Sequence, residues 1–100
     1  MGTIARMVVA TCVISLDLSG LDSLKDKRSI VRSIIARLRR EFNLSVAEVA
    51  DMDIRSLGVI GLAAVGNDRR YLHGQMEKAV AWIVAQRPDV PIYDYSIEFV

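Results

Sequence analysis

The sequence predicts an α+β sandwich, a four-stranded antiparallel sheet carrying two helices on one of its faces. Two stretches repeat their apolar residues with the 3.6-residue period of a helix, and four others alternate or run apolar as strands do. The six follow one another as strand, helix, strand, strand, helix, strand. One hundred residues make a single domain, residues 1–100, long enough to bury a core without disulfide or metal support.

Val8, Ala10, Cys12, Ile14, Leu16 and Leu18 form one face of the first strand at period two. Met7, Val9, Thr11, Val13, Ser15 and Asp17 form the other, more mixed face. Ser19-Gly20-Leu21-Asp22 interrupts the pattern, and Ser23 with Asp26 three residues later resembles a capping box that opens a helix. In that helix Ile30, Val31, Ile34, Ile35, Leu38 and Phe42 share an arc of about 140°, counting ~100° per residue. Asn43 ends it, and Ser45 to Ala50, of mixed polarity, reads as an edge strand. Leu57 to Val65 is apolar on both faces and holds Gly58 and Gly61, which suits a central strand closely approached by its neighbours.

Asn67 or Asp68 caps a second helix from Arg69 to about Gln86, with Leu72, Met76, Ala79, Val80 and Ile83 as its buried stripe. After the Pro88 to Pro91 turn, Tyr93, Tyr95, Ile97 and Phe99 alternate with Asp94, Ser96 and Glu98 as a last strand, its aromatic residues directed to the core. Right-handed crossovers then make the compact solution a ferredoxin-like βαββαβ sandwich.

A 52% apolar, 25% charged composition is that of a soluble globular chain and excludes disorder. With one cysteine, Cys12, and one histidine, His73, an internal disulfide is impossible and soft metal sites lack ligands, so neither metal nor cofactor is expected. The longest apolar run, Leu57 to Gly66, is half of the ~20 residues that span a bilayer. Arg6 followed by Met7 to Ile14 imitates a signal peptide. That run alternates, lacks an Ala-x-Ala site and supplies a central strand, so a cytoplasmic location is expected.

Charge is the informative feature. Lys25 to Arg40 holds seven of the thirteen basic residues and one of the twelve acids, so this segment is +6 and the rest of the chain −5. Lys25, Arg28, Arg32 and Arg39 lie within an arc of about 60°, away from the apolar face, and make a cationic ridge suited to phosphate backbones. The competing reading is a solvated helix exterior. Lys25, Lys27 and Arg28 also occupy the first turn, where the helix dipole disfavours cations, and a bound anion would offset that cost. Lys27 points into the apolar arc, which predicts a stem lying over the sheet end with its amine in solvent. Arg69 and Arg70 begin the second helix. Both strand-to-helix junctions are expected at one end of the sheet, where these arginines would extend the cradle of Lys25, Lys27 and Arg28.

Three segments resemble a known family: Ser23-Leu24-Lys25-Asp26-Lys27-Arg28-Ser29, Phe42-Asn43-Leu44-Ser45-Val46-Ala47-Glu48-Val49 and Val65-Gly66-Asn67-Asp68-Arg69-Arg70. Together they are similar to the YlxP-like family, a bacterial domain of unknown function, from about Met7 to Val84. The resemblance implies a ferredoxin-like fold in a small cytoplasmic bacterial protein whose genes tend to lie near those of transcription and translation factors. It implies no reaction. The last strand lies outside the matching motifs and rests on periodicity.

Sheet-face RNA recognition needs stacking aromatics on the central strands, and Met7 to Leu18 and Leu57 to Val65 hold none. There is no phosphate loop, nucleophile elbow or paired-carboxylate spacing, Cys12 sits mid-strand among apolar residues, and His73 lies near Val80 and Val84 on the helix wheel, at the border of the apolar face, so no catalytic residues are expected. The leading expectation is a non-catalytic module binding RNA or the ribosome through Lys25, Lys27, Arg28, Arg32, Arg39, Arg69 and Arg70. A homo-oligomeric small-ligand or protein-interaction domain pairing through its open, Val9-Thr11-Val13 sheet face is the alternative.

Overall fold

The computed structural model describes residues 2–100. Its elements are β1 (Val8–Asp17), α1 (Leu24–Glu41), β2 (Ser45–Ala50), β3 (Leu57–Gly66), α2 (Arg69–Gln86) and β4 (Ile92–Phe99). The strands form one antiparallel sheet in the order β2-β3-β1-β4, a ferredoxin-like α+β arrangement. Each helix starts where the sequence supplies a cap. The Ser23 hydroxyl accepts from the Asp26 N–H at 3.0 Å, and an Asp68 carboxylate oxygen accepts from the Arg70 N–H at 3.0 Å. The first helix closes at Phe42, one residue before the predicted Asn43.

The core lies between the helices and one sheet face. Ala10, Cys12, Ile14 and Leu16 of β1 are fully buried beside Ile60 and Leu62 of β3, under Val31, Ile34 and Leu38 of α1 and Leu72, Met76, Ala79 and Ile83 of α2. Each of the larger apolar side chains contributes about 1.5–3 kcal/mol by leaving water. Gly58 has a steric reason. A Cβ there would stand 3.1 Å from Leu18 Cδ1 and 3.4 Å from Val31 Cγ2, so α1 approaches β3 over a missing side chain. Among the described residues no element covers the other face, and Val13, Val49 and Val65 stand exposed on it.

Two expectations are corrected. The strand-to-helix junctions lie at opposite ends of the sheet, because β1 and β3 pair antiparallel with Val8 against Gly66 and Asp17 against Leu57. Arg69 and Arg70 therefore flank the C-terminus of α1 and do not join Lys25, Lys27 and Arg28. In β4 the register shifts between Ser15 and Leu16, so that Ser15 faces Asp94 and Leu16 faces Ile92. Tyr93 is the extra residue of this bulge and is turned out, 62% exposed, while Ile92 takes the inward position. Tyr95 lies at the margin of the core, its hydroxyl donating to Glu77 at 2.8 Å.

Candidate nucleic-acid interface

On α1, the side opposite Val31, Ile34 and Leu38 carries Lys25, Arg28, Arg32 and Arg39, all exposed. Lys25, Arg28 and Arg32 alternate with the Ser29 and Ser33 hydroxyls along an open trough of about 710 Å³. Among the described residues no carboxylate lies within ion-pair distance of Lys25 or Arg32. Arg28 has one partner, the exposed Asp53 at 3.4 Å, a surface pair worth little in water. Arg39 is half committed: its guanidinium donates to the Val46 carbonyl of β2 at 2.6 Å. The ridge from Lys25 to Arg39 is about 21 Å long at ~1.5 Å per residue.

Lys27 stands apart from its neighbours. Its side chain is fully buried and its amine donates to the carbonyls of Asp51 at 2.7 Å and Met52 at 3.3 Å. Glu48 Oε2 is 3.2 Å away, an ion pair without the angle of a hydrogen bond, so that oxygen keeps no directed donor. The expected solvent-facing amine is thus replaced by an internal clasp. The cause is the loop after β2, which turns back through Asp51 at φ 53°, a left-handed conformation that Asp enters at low cost, and aims its carbonyls over the sheet end. Arg55 of the same loop donates to the Leu21 carbonyl. Lys27 therefore leaves the outward-facing set, and two of the three first-turn cations already have protein partners.

Arg69 lies with its guanidinium carbon 5.3 Å from the centre of the Phe99 ring, a cation–π contact that covers the edge of the core. Arg70 faces a cleft between the C-terminus of α1 and the start of α2, about 490 Å³ in volume, which it shares with Tyr71, Gly74 and Lys78. Trp82 is half-buried in the seam between the helices. It meets Phe42 edge-on at 6.5 Å and carries Arg37 at 5.0 Å over its ring.

Burial, with the charge of Glu77 adding to it, pushes the Cys12 thiol up to about 11, which holds it protonated and unreactive at neutral pH. The hydrogen bond to Glu77 likewise raises the Tyr95 phenol. His73 Nε2 lies 3.8 Å from Glu77 on an exposed helix face. No cluster of three metal-ligating side chains occurs among the described residues, and no helix of them is long and apolar enough to cross a membrane.

The fold and this surface define a small ferredoxin-like α/β domain that presents a basic helix. The chain belongs to the family described as Protein of unknown function (DUF503), which it matches over residues 9–97. It is 31% identical over 61 residues to the Uncharacterized protein YlxP of Bacillus subtilis (strain 168). That stretch covers 61% of this chain and 66% of the relative, just under two thirds of its length. Among solved structures, the De novo designed protein Foldit4 is similar, with a TM-score of 0.53 at 12% identity over 95% of this chain and 97% of that one. The likeness concerns the fold alone.

Proposed function

We propose that this domain binds RNA through the phosphate backbone, along the outer face of α1, and carries out no chemistry itself. The observation that carries the reading is the run Lys25, Arg28, Arg32 and Arg39 with a single weak carboxylate partner, Asp53, on a segment of charge +6. Guanidinium and ammonium groups spaced along one helix shoulder neutralise successive phosphates without reading bases, and hydroxyls such as those of Ser29 and Ser33 add donors to the same oxygens. The relatives' gene setting beside translation factors, implied by the family resemblance, makes ribosomal RNA the first target to try.

The test is titration of a labelled RNA at several salt concentrations. With four ridge contacts the slope of log K against log salt is expected near −3, and Arg28→Ala with Arg32→Ala reduces its magnitude by about 1.4–1.8. An unchanged slope, or no binding at low salt, overturns the reading. Equal affinity for DNA of the same sequence overturns the choice of RNA.

A second reading rests on the open sheet face, where Val9, Val13, Val49, Val59 and Val65 surround the small residues Ala47, Gly61 and Ala63. Four strands ~4.8 Å apart and eight residues deep give a projected area of about 500 Å² per copy, so two copies face to face reach the ~1,000 Å² total of a stable pair. The occupant proposed is a second copy of this chain. Light scattering with size exclusion at micromolar concentration is expected to give a dimer that Val13→Lys dissociates. A wild-type monomer removes the reading.

A further inference from the structure

Gly74 of α2 has no packing reason in the fold. It sits in the interior of an 18-residue helix, where glycine is less stable than alanine, yet beyond its chain neighbours and the backbone of its own helix no described atom lies within 4 Å of the place a Cβ would take. Gly58 makes room for α1, whereas Gly74 makes room for no side chain among the described residues. Its neighbours explain what the gap does. Arg70 and Lys78 lie one turn before and after it, Tyr71 stands beside them, and together they ring a dent whose floor is the bare helix backbone.

The far wall is the end of α1, where Asn43 supplies an amide and Glu41 a carboxylate, with Gln75 bridging to the Asn43 carbonyl at 3.5 Å. The volume, about 490 Å³, lies within the ~300–1,000 Å³ range of ligand-sized clefts. Its chemistry is selective. Tyr71 is 68% exposed and offers an unshared ring face, two cations flank the floor, and the wall carries both donors and acceptors. A flat aromatic group with hydrogen-bonding edges and an attached anion answers all three.

We propose that this cleft binds a nucleoside 5′-phosphate unit, its base stacked on Tyr71 and laid against the backbone at Gly74, its phosphate between Arg70 and Lys78. Stacking of a base on an exposed aromatic tolerates any base, and the Asn43, Gln75 and Glu41 side chains are placed to favour some over others. The unit is either a free nucleotide or an unstacked nucleotide of an RNA chain. The site lies at the opposite end of α1 from Lys25 and stands or falls independently of the ridge.

Titration of the intact protein with adenosine 5′-monophosphate, followed by Tyr71 resonances or by calorimetry, is expected to give an affinity in the millimolar range or tighter. Gly74→Ala is the sharpest variant because its two effects have opposite sign. It raises the melting temperature by roughly 2–6 °C, as a helix-favouring change in a 100-residue domain should, and weakens the nucleotide at least tenfold. Tyr71→Ala weakens it similarly. A short oligoribonucleotide binding more tightly than the mononucleotide, with that gain lost in Tyr71→Ala, assigns the unit to an RNA chain, and equal binding, or a gain that Tyr71→Ala keeps, assigns it to a free nucleotide. Absence of binding at millimolar mononucleotide, displacement by inorganic phosphate alone at equal concentration, or a Gly74→Ala variant that binds normally overturns the proposal.

Discussion

At the scale of single residues, Lys27 shows how far a side chain can depart from its sequence pattern. Helical spacing placed it in the apolar arc correctly, and the ordinary behaviour of lysine there is to lead its amine out to water. The loop after β2 instead brings two carbonyls and Glu48 to the amine, partners separated from it by more than twenty positions in the chain and so invisible to local spacing. Removing the amine leaves Glu48 without its counter-charge, so Lys27→Met is expected to cost about 3–5 kcal/mol in urea unfolding. Adding Glu48→Leu should recover part of that loss, with a coupling of about 1–3 kcal/mol. Additive costs would mean that the pair is not a unit. Cys12 sets a pH dependence of known sign. Its thiol ionises near 9.0 when unfolded and about 11 when folded, so above pH 9 the unfolded chain has lost a proton that the native state keeps. Stability is full below pH 9 and falls by about 1 kcal/mol per pH unit towards 11. Tyr95, also raised, adds to the fall in the same direction. Denaturant melts at pH 8, 9 and 10 should show this decline and a shallower one in Cys12→Ala; parallel declines would remove Cys12 as its source.

At the scale of elements, most boundaries were legible because caps and periodicity agreed. Ser23 and Asp68 act where their hydroxyl and carboxylate predicted, and β2 and α2 run between the residues that their apolar patterns bounded. The bulge opposite Ser15 was not legible. Tyr93-Asp94-Tyr95-Ser96-Ile97 alternates cleanly, and only pairing against β1 reveals that one residue is extra. The two strand glycines separate by what they face. Gly58→Ala drives a methyl against Leu18 and Val31, which are buried and cannot withdraw, and should cost about 1–3 kcal/mol. At Gly61 the same methyl would come within 2.7 Å of Val49, a closer approach, but Val49 is half exposed and can rotate into solvent. The shorter distance is therefore expected to give the smaller loss. Equal losses in urea midpoints would show that the open face is as tightly packed as the core.

At the scale of the whole molecule, the +6 segment was legible as composition but not as a surface. Four of the seven cations named for the site, Lys25, Arg28, Arg32 and Arg39, share one helix shoulder because helical spacing alone puts them there. Of the other three, Arg69 and Arg70 were placed by assuming one shared end for both helix starts, and antiparallel pairing of β1 with β3 puts them at the opposite end. Lys27 turns inward, Arg69 covers Phe99, and Arg70 enters a different cleft. The same chain thus carries cations of two kinds, those that face water and those that hold the fold, and the two kinds answer differently to substitution. Replacing Lys25 and Arg32 together should reduce the salt slope of RNA binding by about 1.4–1.8 with an unfolding midpoint near that of the wild type, since neither side chain has a hydrogen-bond or ion-pair partner among the described residues to lose. Arg69→Gln should do the reverse. It keeps the slope, because no ridge contact is removed, and lowers stability by about 0.5–1 kcal/mol through the lost contact with Phe99. Measuring both quantities on both variants makes the separation testable in one experiment: a slope that falls in Arg69→Gln as it does in the ridge pair would mean that RNA contacts both ends of the domain, and the division between ridge and fold would have to be redrawn.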